Sequence, residues 1–197
     1  MYRSAPVKPA ERAVASVRAL QLKSSPMSES AWATDLKDQA CLRFSENTEK
    51  ITACLRFFND ETIWDRANQN SLSIANQLLH LSGNITQYAI SSLGGKPDVR
   101  QRDLEFSATG GLTKEQVVNR FLGVIAEATR AIRECPESDL LRIREVQGFS
   151  LTGIGIIMHV VEHYSYHTGQ VVAWTKQREN QAMGFYDNVD LNTPNKG

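Results

Sequence analysis

The sequence predicts an all-α protein built as a four-helix bundle. Three observations lead there. Four segments of ~20–30 residues repeat apolar residues at three- and four-residue steps. Each segment ends on a recognisable stop or link, and strand signals are thin, the best being "LLRIREV" at 140–146.

The first helix is expected from about Glu29 to Phe58, with Trp32, Leu36, Ala40, Phe44, Ile51, Leu55 and Phe58 on its apolar face. The second begins near Ser71 and ends at Gly94-Gly95, a natural C-terminal stop. The third opens at "TKEQ", where Thr113 and Gln116 have capping-box spacing, and ends at Cys135-Pro136, because the residue before proline is biased away from helix. The fourth runs from about Thr152 to Arg178. Between helices two and three lies the charged link "GGKPDVRQRDLEFSATGG", expected to cross one end of the bundle. Residues 1–28 read as a disordered or upstream extension, 29–180 as the bundle and 181–197 as a tail.

Charge narrows the partners. Lys+Arg and Asp+Glu number 22 each, yet residues 1–26 carry five basic residues and one acid. The body is therefore mildly acidic, which disfavours a nucleic-acid groove. No apolar run approaches the ~20 residues of a membrane span. The first 26 residues overlap in composition with organelle transit peptides but lack a secretory apolar core; a disordered extension, with Met27 as an alternative start, is the plainer expectation. Cys41, Cys54 and Cys135 form no C-x-x-C, and the first two share a helix about 20 Å apart, so they read as reduced thiols in a cytoplasm.

The chemistry concentrates in four histidines. "MHVVEHYSYHTGQ" at 158–170 holds His159, His163 and His167, four residues apart. Imidazoles at i and i+4 on a helix converge on one ion, but His159 and His167 stand about 12 Å apart along the axis and cannot share it. One adjacent pair therefore needs a third ligand, and His80 is the remaining histidine. His80, His163 and His167 make the preferred triad, with His159 as outer partner or substrate contact; the His159/His163 pair stays open. Ser73, Gln77, His80, Asn84 and Tyr88 share a face of helix two, and His163, His167, Gln170 and Trp174 a face of helix four. Polar stripes of this kind are costly to bury without partners, which a metal supplies; otherwise they form a polar core seam. "HYSYH" lacks the glutamate of H-E-x-x-H, and no E-x-x-H occurs. Three neutral imidazoles with an open position suit Zn²⁺, Ni²⁺ or a similar ion.

"LLHLSGNITQY" at 78–88, "GGKPDVRQRDLEF" at 94–106 and "EHYSYHTGQVV" at 162–172 resemble the DinB-like (DinB/YfiT-type) metal-binding family, in a branch of unknown function. The likeness spans about Ala31 to Arg178. It implies an up-down-down-up bundle, a homodimer, and a zinc or nickel ion on His80, His163 and His167. It also implies thiol-dependent S-transfer among the better-understood relatives, with a low-molecular-weight thiol activated by the metal.

Two functions of different class follow. The first is a metal-dependent hydrolase or thiol S-transferase acting on a small molecule, with an open coordination position and Asn84, Gln77, Tyr88, Gln170 and His159 as candidate helpers. The second is a non-catalytic metal-binding, structural or stress-related interaction module. Glu162 lies about 100° round the helix from His163 and reads as a solvated ion-pair partner rather than a base. Lys96, Arg100, Arg102, Asp103 and Glu105 in the long link are candidates to meet an anionic substrate.

Overall fold

The computed structural model describes residues 29–196, so the expected extension at 1–28 lies outside the described residues. Helix α1 (Ala31–Leu55) starts at Ser30, whose backbone N–H and hydroxyl both donate to the Glu137 carboxylate at 2.8 Å. Its buried face is Ala33, Lys37, Ala40, Phe44, Ile51 and Cys54. Trp32, expected in the core, is instead 48 % exposed: it precedes Ala33 by one residue, about 100° away, and Ala33 takes the inward position. Lys37 is buried because its ammonium donates to the carbonyls of Arg133 and Cys135 (3.0 and 3.1 Å), which a helix end leaves unpaired.

Helix α2 (Ile74–Ile85) begins behind a reciprocal Ser73–Asn76 capping box and continues as π-helix over Thr86–Leu93. Every residue of α2 is buried. The reason is the link that follows. It was expected to cross an end of the bundle; it runs back along α2 instead and carries a short helix α3 (Arg102–Ser107). Asn76 Nδ2 donates to the carbonyls of Glu105 and Ala108 (2.9 and 2.8 Å), which seals that packing. Gly83 makes it possible, since a Cβ there would lie 1.8 Å from Glu105 Oε1.

Helix α4 (Lys114–Glu134) opens on the expected Thr113–Gln116 capping box and stops before Pro136. A single-turn helix α5 (Glu137–Leu140) leads into a hairpin of β1 (Ile143–Val146) and β2 (Phe149–Thr152), paired Ile143 to Thr152 and Val146 to Phe149. The weak strand signal at 140–146 was therefore real. Its turn, Gln147-Gly148, takes both residues at positive φ (52° and 82°), the twist a two-residue hairpin needs. Helix α6 (Gly153–Glu179) starts at once from Thr152, which caps the Gly155 N–H at 3.1 Å.

The contacts fix helix directions. Thr48 meets Tyr164, and Cys54 meets Met183 just beyond α6, so α1 and α6 are parallel. Lys114 donates to Phe58 O while Lys37 reaches Cys135 O, so α4 opposes α1. His80 faces His163 and Asn84 faces His159, so α2 opposes α6. The four long helices are thus up-down-down-up, and the fold is all-α apart from one hairpin. The core joins them through Phe44 and Phe121, both edge-on to the fully buried Tyr164 ring (5.3 and 5.8 Å). Tyr164 OH donates to Thr48 Oγ1 at 2.8 Å, because that hydroxyl already donates to Phe44 O. No described helix is long and apolar enough to cross a membrane.

Phe44→Ala should lower unfolding stability by about 3–5 kcal/mol through the cavity it leaves. Leu42→Ala, at a 47 % exposed position two residues away, should change it by under about 0.5 kcal/mol. Denaturant midpoints of the two variants check this phase of α1.

Candidate metal centre

The centre forms where α2 and α6 run antiparallel. One α2 residue, His80, faces His163 and His167, one turn apart on α6. One ring nitrogen from each can be chosen so that all three lie within 4.8 Å of one another. His80 Nε2 and His163 Nε2 approach to 3.0 Å.

On His80 and His167 the other nitrogen is committed. His80 Nδ1 lies 3.1 Å from Glu105 Oε2, and Arg100 grips the same carboxylate with Nε on Oε1 and Nη2 on Oε2, both at 2.8 Å. Burial alone would raise the Glu105 carboxyl; the hydrogen bonds from Arg100 and His80 outweigh it and hold it below the ordinary range. An ionised carboxylate only accepts, so Nδ1 of His80 carries a proton, and Nε2 is the atom with which the neutral ring can coordinate. Arg100 Nη2 also lies 3.3 Å from Nδ1, but two N–H donors cannot bond each other, and the 2.8 Å contact to Glu105 is the bond. His167 repeats the arrangement with an amide: its Nδ1 donates to Gln77 Oε1 at 3.1 Å, leaving Nε2 free.

His163 and His167 stay neutral. Burial, reinforced by the neighbouring histidines, pushes His163 down to about 3, and burial with His80 pushes His167 down to about 4. Histidine binds a metal as the neutral ring, and its second nitrogen is then typically held by a carboxylate or an amide, as Glu105 holds His80 and Gln77 holds His167. The donor set fits an ion for a further reason. With Nδ1 of His80 protonated, two imidazole lone pairs would face each other at 3.0 Å unless His163 supplies a proton or a cation lies between them.

The structure separates His159 from the triad. Its ring stacks on Tyr88 (4.0 Å between centroids, 22°) and lies 5.4 Å from His163, while Nε2 sits 3.2 Å from Asn84 Nδ2. Residues 159–163 also spell H-x-x-E-H, a metal-ligand spacing in its own right. Here Glu162 is exposed and His159 is turned to Asn84, so that spacing assembles nothing. Burial pushes His159 below its ordinary value, against the pull of Glu162. Asn84 Oδ1 is buried without a partner among the described residues, and Tyr88 OH donates to Gln147 Oε1 at 3.0 Å, tying the hairpin turn to this side of the centre.

On the other side lies a cavity of about 590 Å³ bordered by His80, His167, Gln77, Gln170, Tyr166 and Trp174. Of the expected helpers, then, Gln77 orients His167, Gln170 borders the cavity, and Asn84, Tyr88 and His159 group together without bordering it. The link charges are sorted differently from expectation. Arg100 and Glu105 are spent on each other and on His80, and Lys96 pairs with Glu127. Glu105 is the residue whose role sequence reasoning missed. The available signal was Gly83, a turn beyond His80 on the same face, which marks where another segment comes close.

A family model described as "Protein of unknown function (DUF1572)" matches residues 32–185. A crystal structure of a DinB-like protein from Bacillus cereus is similar at a TM-score of 0.58 and 16 % identity, covering 74 % of this chain and 94 % of that one. A DinB-like protein from Bacillus subtilis gives 0.56 and 13 %, covering 73 % and 93 %. No curated protein matches significantly. At these identities the structures share the fold.

The depressed histidines set a pH dependence. Their folded values lie below the unfolded ~6.5, so between about pH 6.5 and 4 the unfolded chain binds protons that the folded one refuses, and stability falls with falling pH. For the chelator-treated protein we expect a loss of roughly 2 kcal/mol from pH 7 to pH 5, about half the ideal two-site value because His163 keeps some hydration. His167→Asn should flatten that slope. Chemical denaturation at the two pH values reads it, and stability independent of pH there would contradict neutral histidines.

Proposed function

The chain belongs to the family described as protein of unknown function DUF1572, and from its histidine geometry we propose that it binds a divalent metal ion through His80, His163 and His167. The observation carrying this reading is the convergence of one nitrogen from each ring, paired with committed Nδ1 atoms on His80 and His167. The donor set suits zinc or nickel.

The proposed reaction is metal-dependent hydrolysis or thiol S-transfer on a small molecule. A three-histidine ion leaves an open position, where it lowers the pKa of a bound water or thiol toward neutrality. The chain's own groups provide the rest. Gln77 and Glu105 hold two rings in orientation, and Gln170 offers an amide at the cavity wall. A cavity of about 590 Å³ beside the histidines favours turnover over a closed structural site, since it lies within the size range of small-molecule pockets. The three cysteines are free and buried, which fits a reducing compartment such as the cytoplasm.

Elemental mass spectrometry of untagged protein should find about one zinc or nickel ion per chain, lost in His80→Ala and in His163→Ala. Wild-type protein that stays metal-free after incubation with both ions would sink the proposal. Glu105→Gln should weaken metal affinity by about 10–100-fold, measured by competition with a chelating dye, while the three histidines remain. Unchanged affinity would remove Glu105 from the account.

A further inference from the structure

The cavity beside His80 and His167 has a one-sided charge. Its wall includes Arg102 and no Asp or Glu; amides, hydroxyls, aromatic rings and the two histidines make up most of the remainder. Arg102 differs from its neighbour Arg100, which spends its guanidinium on Glu105 and Gln87. The contact made by Arg102 is with a ring face: its guanidinium carbon stands 4.4 Å from the Phe106 centroid. Among the described residues it has no carboxylate partner. The same Phe106 ring lies 4.8 Å from the His80 ring, so one aromatic side chain spaces the guanidinium from the proposed metal ligand. A guanidinium stacked in this way keeps its in-plane N–H fork available.

A second donor in the same wall is unspent. Trp174 borders the cavity, and its buried indole Nε1–H has no acceptor among the described residues. A bound divalent ion would add positive charge at the inner end. Nothing on the wall opposes an anion, and the amides of Gln170, Gln177 and Asn70 can add N–H donors to it.

We infer that this cavity takes a small organic anion, with its carboxylate or phosphate on Arg102 and its reacting end toward the three histidines. The inference names a substrate class for the proposed metal site and rests on that reading. Arg102 is a binding residue in it: it anchors the end of the substrate that does not react, and the span set by Phe106 holds that end at a fixed distance from His80. Lys96, Arg100, Asp103 and Glu105 do not border the cavity.

The test is calorimetric titration of metal-incubated wild type, Arg102→Gln and Arg102→Lys with glutarate and with inorganic phosphate, metal content being measured on the same samples. At least one probe should bind wild type, and Arg102→Gln should weaken it about tenfold or more, as loss of a charge-assisted bidentate contact does. Arg102→Lys should fall between them, since it keeps the charge but not the fork. Tighter glutarate assigns a carboxylate, and tighter phosphate a phosphoryl group. Wild type that binds neither probe, or Arg102→Gln that binds as well as wild type, overturns the inference. Failure of the metal reading would show separately as wild type without metal, and the Arg102 comparison would still decide the anion.

Discussion

The Glu105 carboxylate sits inside the protein between the Arg100 guanidinium and the His80 imidazole, and it does three jobs through those contacts. It holds the proton on Nδ1 of His80, which leaves Nε2 as the atom facing His163. It ties α3 to α2, with Asn76 fastening the same backbone one turn earlier. It also satisfies Arg100, which reaches on to Gln87 at 2.9 Å. Buried charges of this kind are tolerable only as a complete set, because removing one member strands the others in a low-dielectric interior. The polar stripe on α2 is therefore stable as long as the link lies along it, and the link lies along it because Gly83 leaves room.

The bundle topology follows from the same constraint. Helices α2 and α4 run in the same direction, so the chain must travel back the length of α2 between them. That return segment becomes the wall behind the histidines and one side of the cavity. Helix α6 then supplies His163 and His167 from the opposite direction, with Tyr164 locking it to α1 and α4 through Phe44, Phe121 and Thr48. Rigid packing on one face of α6 presents a polar face to α2. The hairpin before α6 closes the side where Tyr88 and His159 stack, and the cavity remains beside His80 and His167.

Much of this was legible in the chain. The helical period located all four long helices, the Thr113–Gln116 spacing marked the start of α4, and i,i+4 reasoning joined His163 to His167 with His80 across from them. What escaped had physical causes. Trp32 precedes Ala33 by one residue on a helix whose alternating small and charged residues set a weak phase, and size alone suggested the wrong one. The return path of the link has no periodicity to read, so its charges read as one group available to an anionic substrate when Arg100 and Glu105 are buried together. Glu105 is 25 residues from His80, a pairing that no local spacing encodes. Four-residue strands fall below the length at which alternation is distinguishable from helix.

The central claim is that two helices and one buried carboxylate hold three imidazoles ready for one ion. A crystal structure of zinc-incubated protein, with anomalous scattering recorded at the zinc edge, tests it most directly. The account predicts one strong anomalous peak bonded at about 2.0–2.1 Å to the Nε2 atoms of His80, His163 and His167, with Glu105 still on Nδ1 of His80 and a remaining position toward the cavity. A peak elsewhere, a fourth protein ligand closing the site, or a zinc-free His80–His163 hydrogen bond would contradict it.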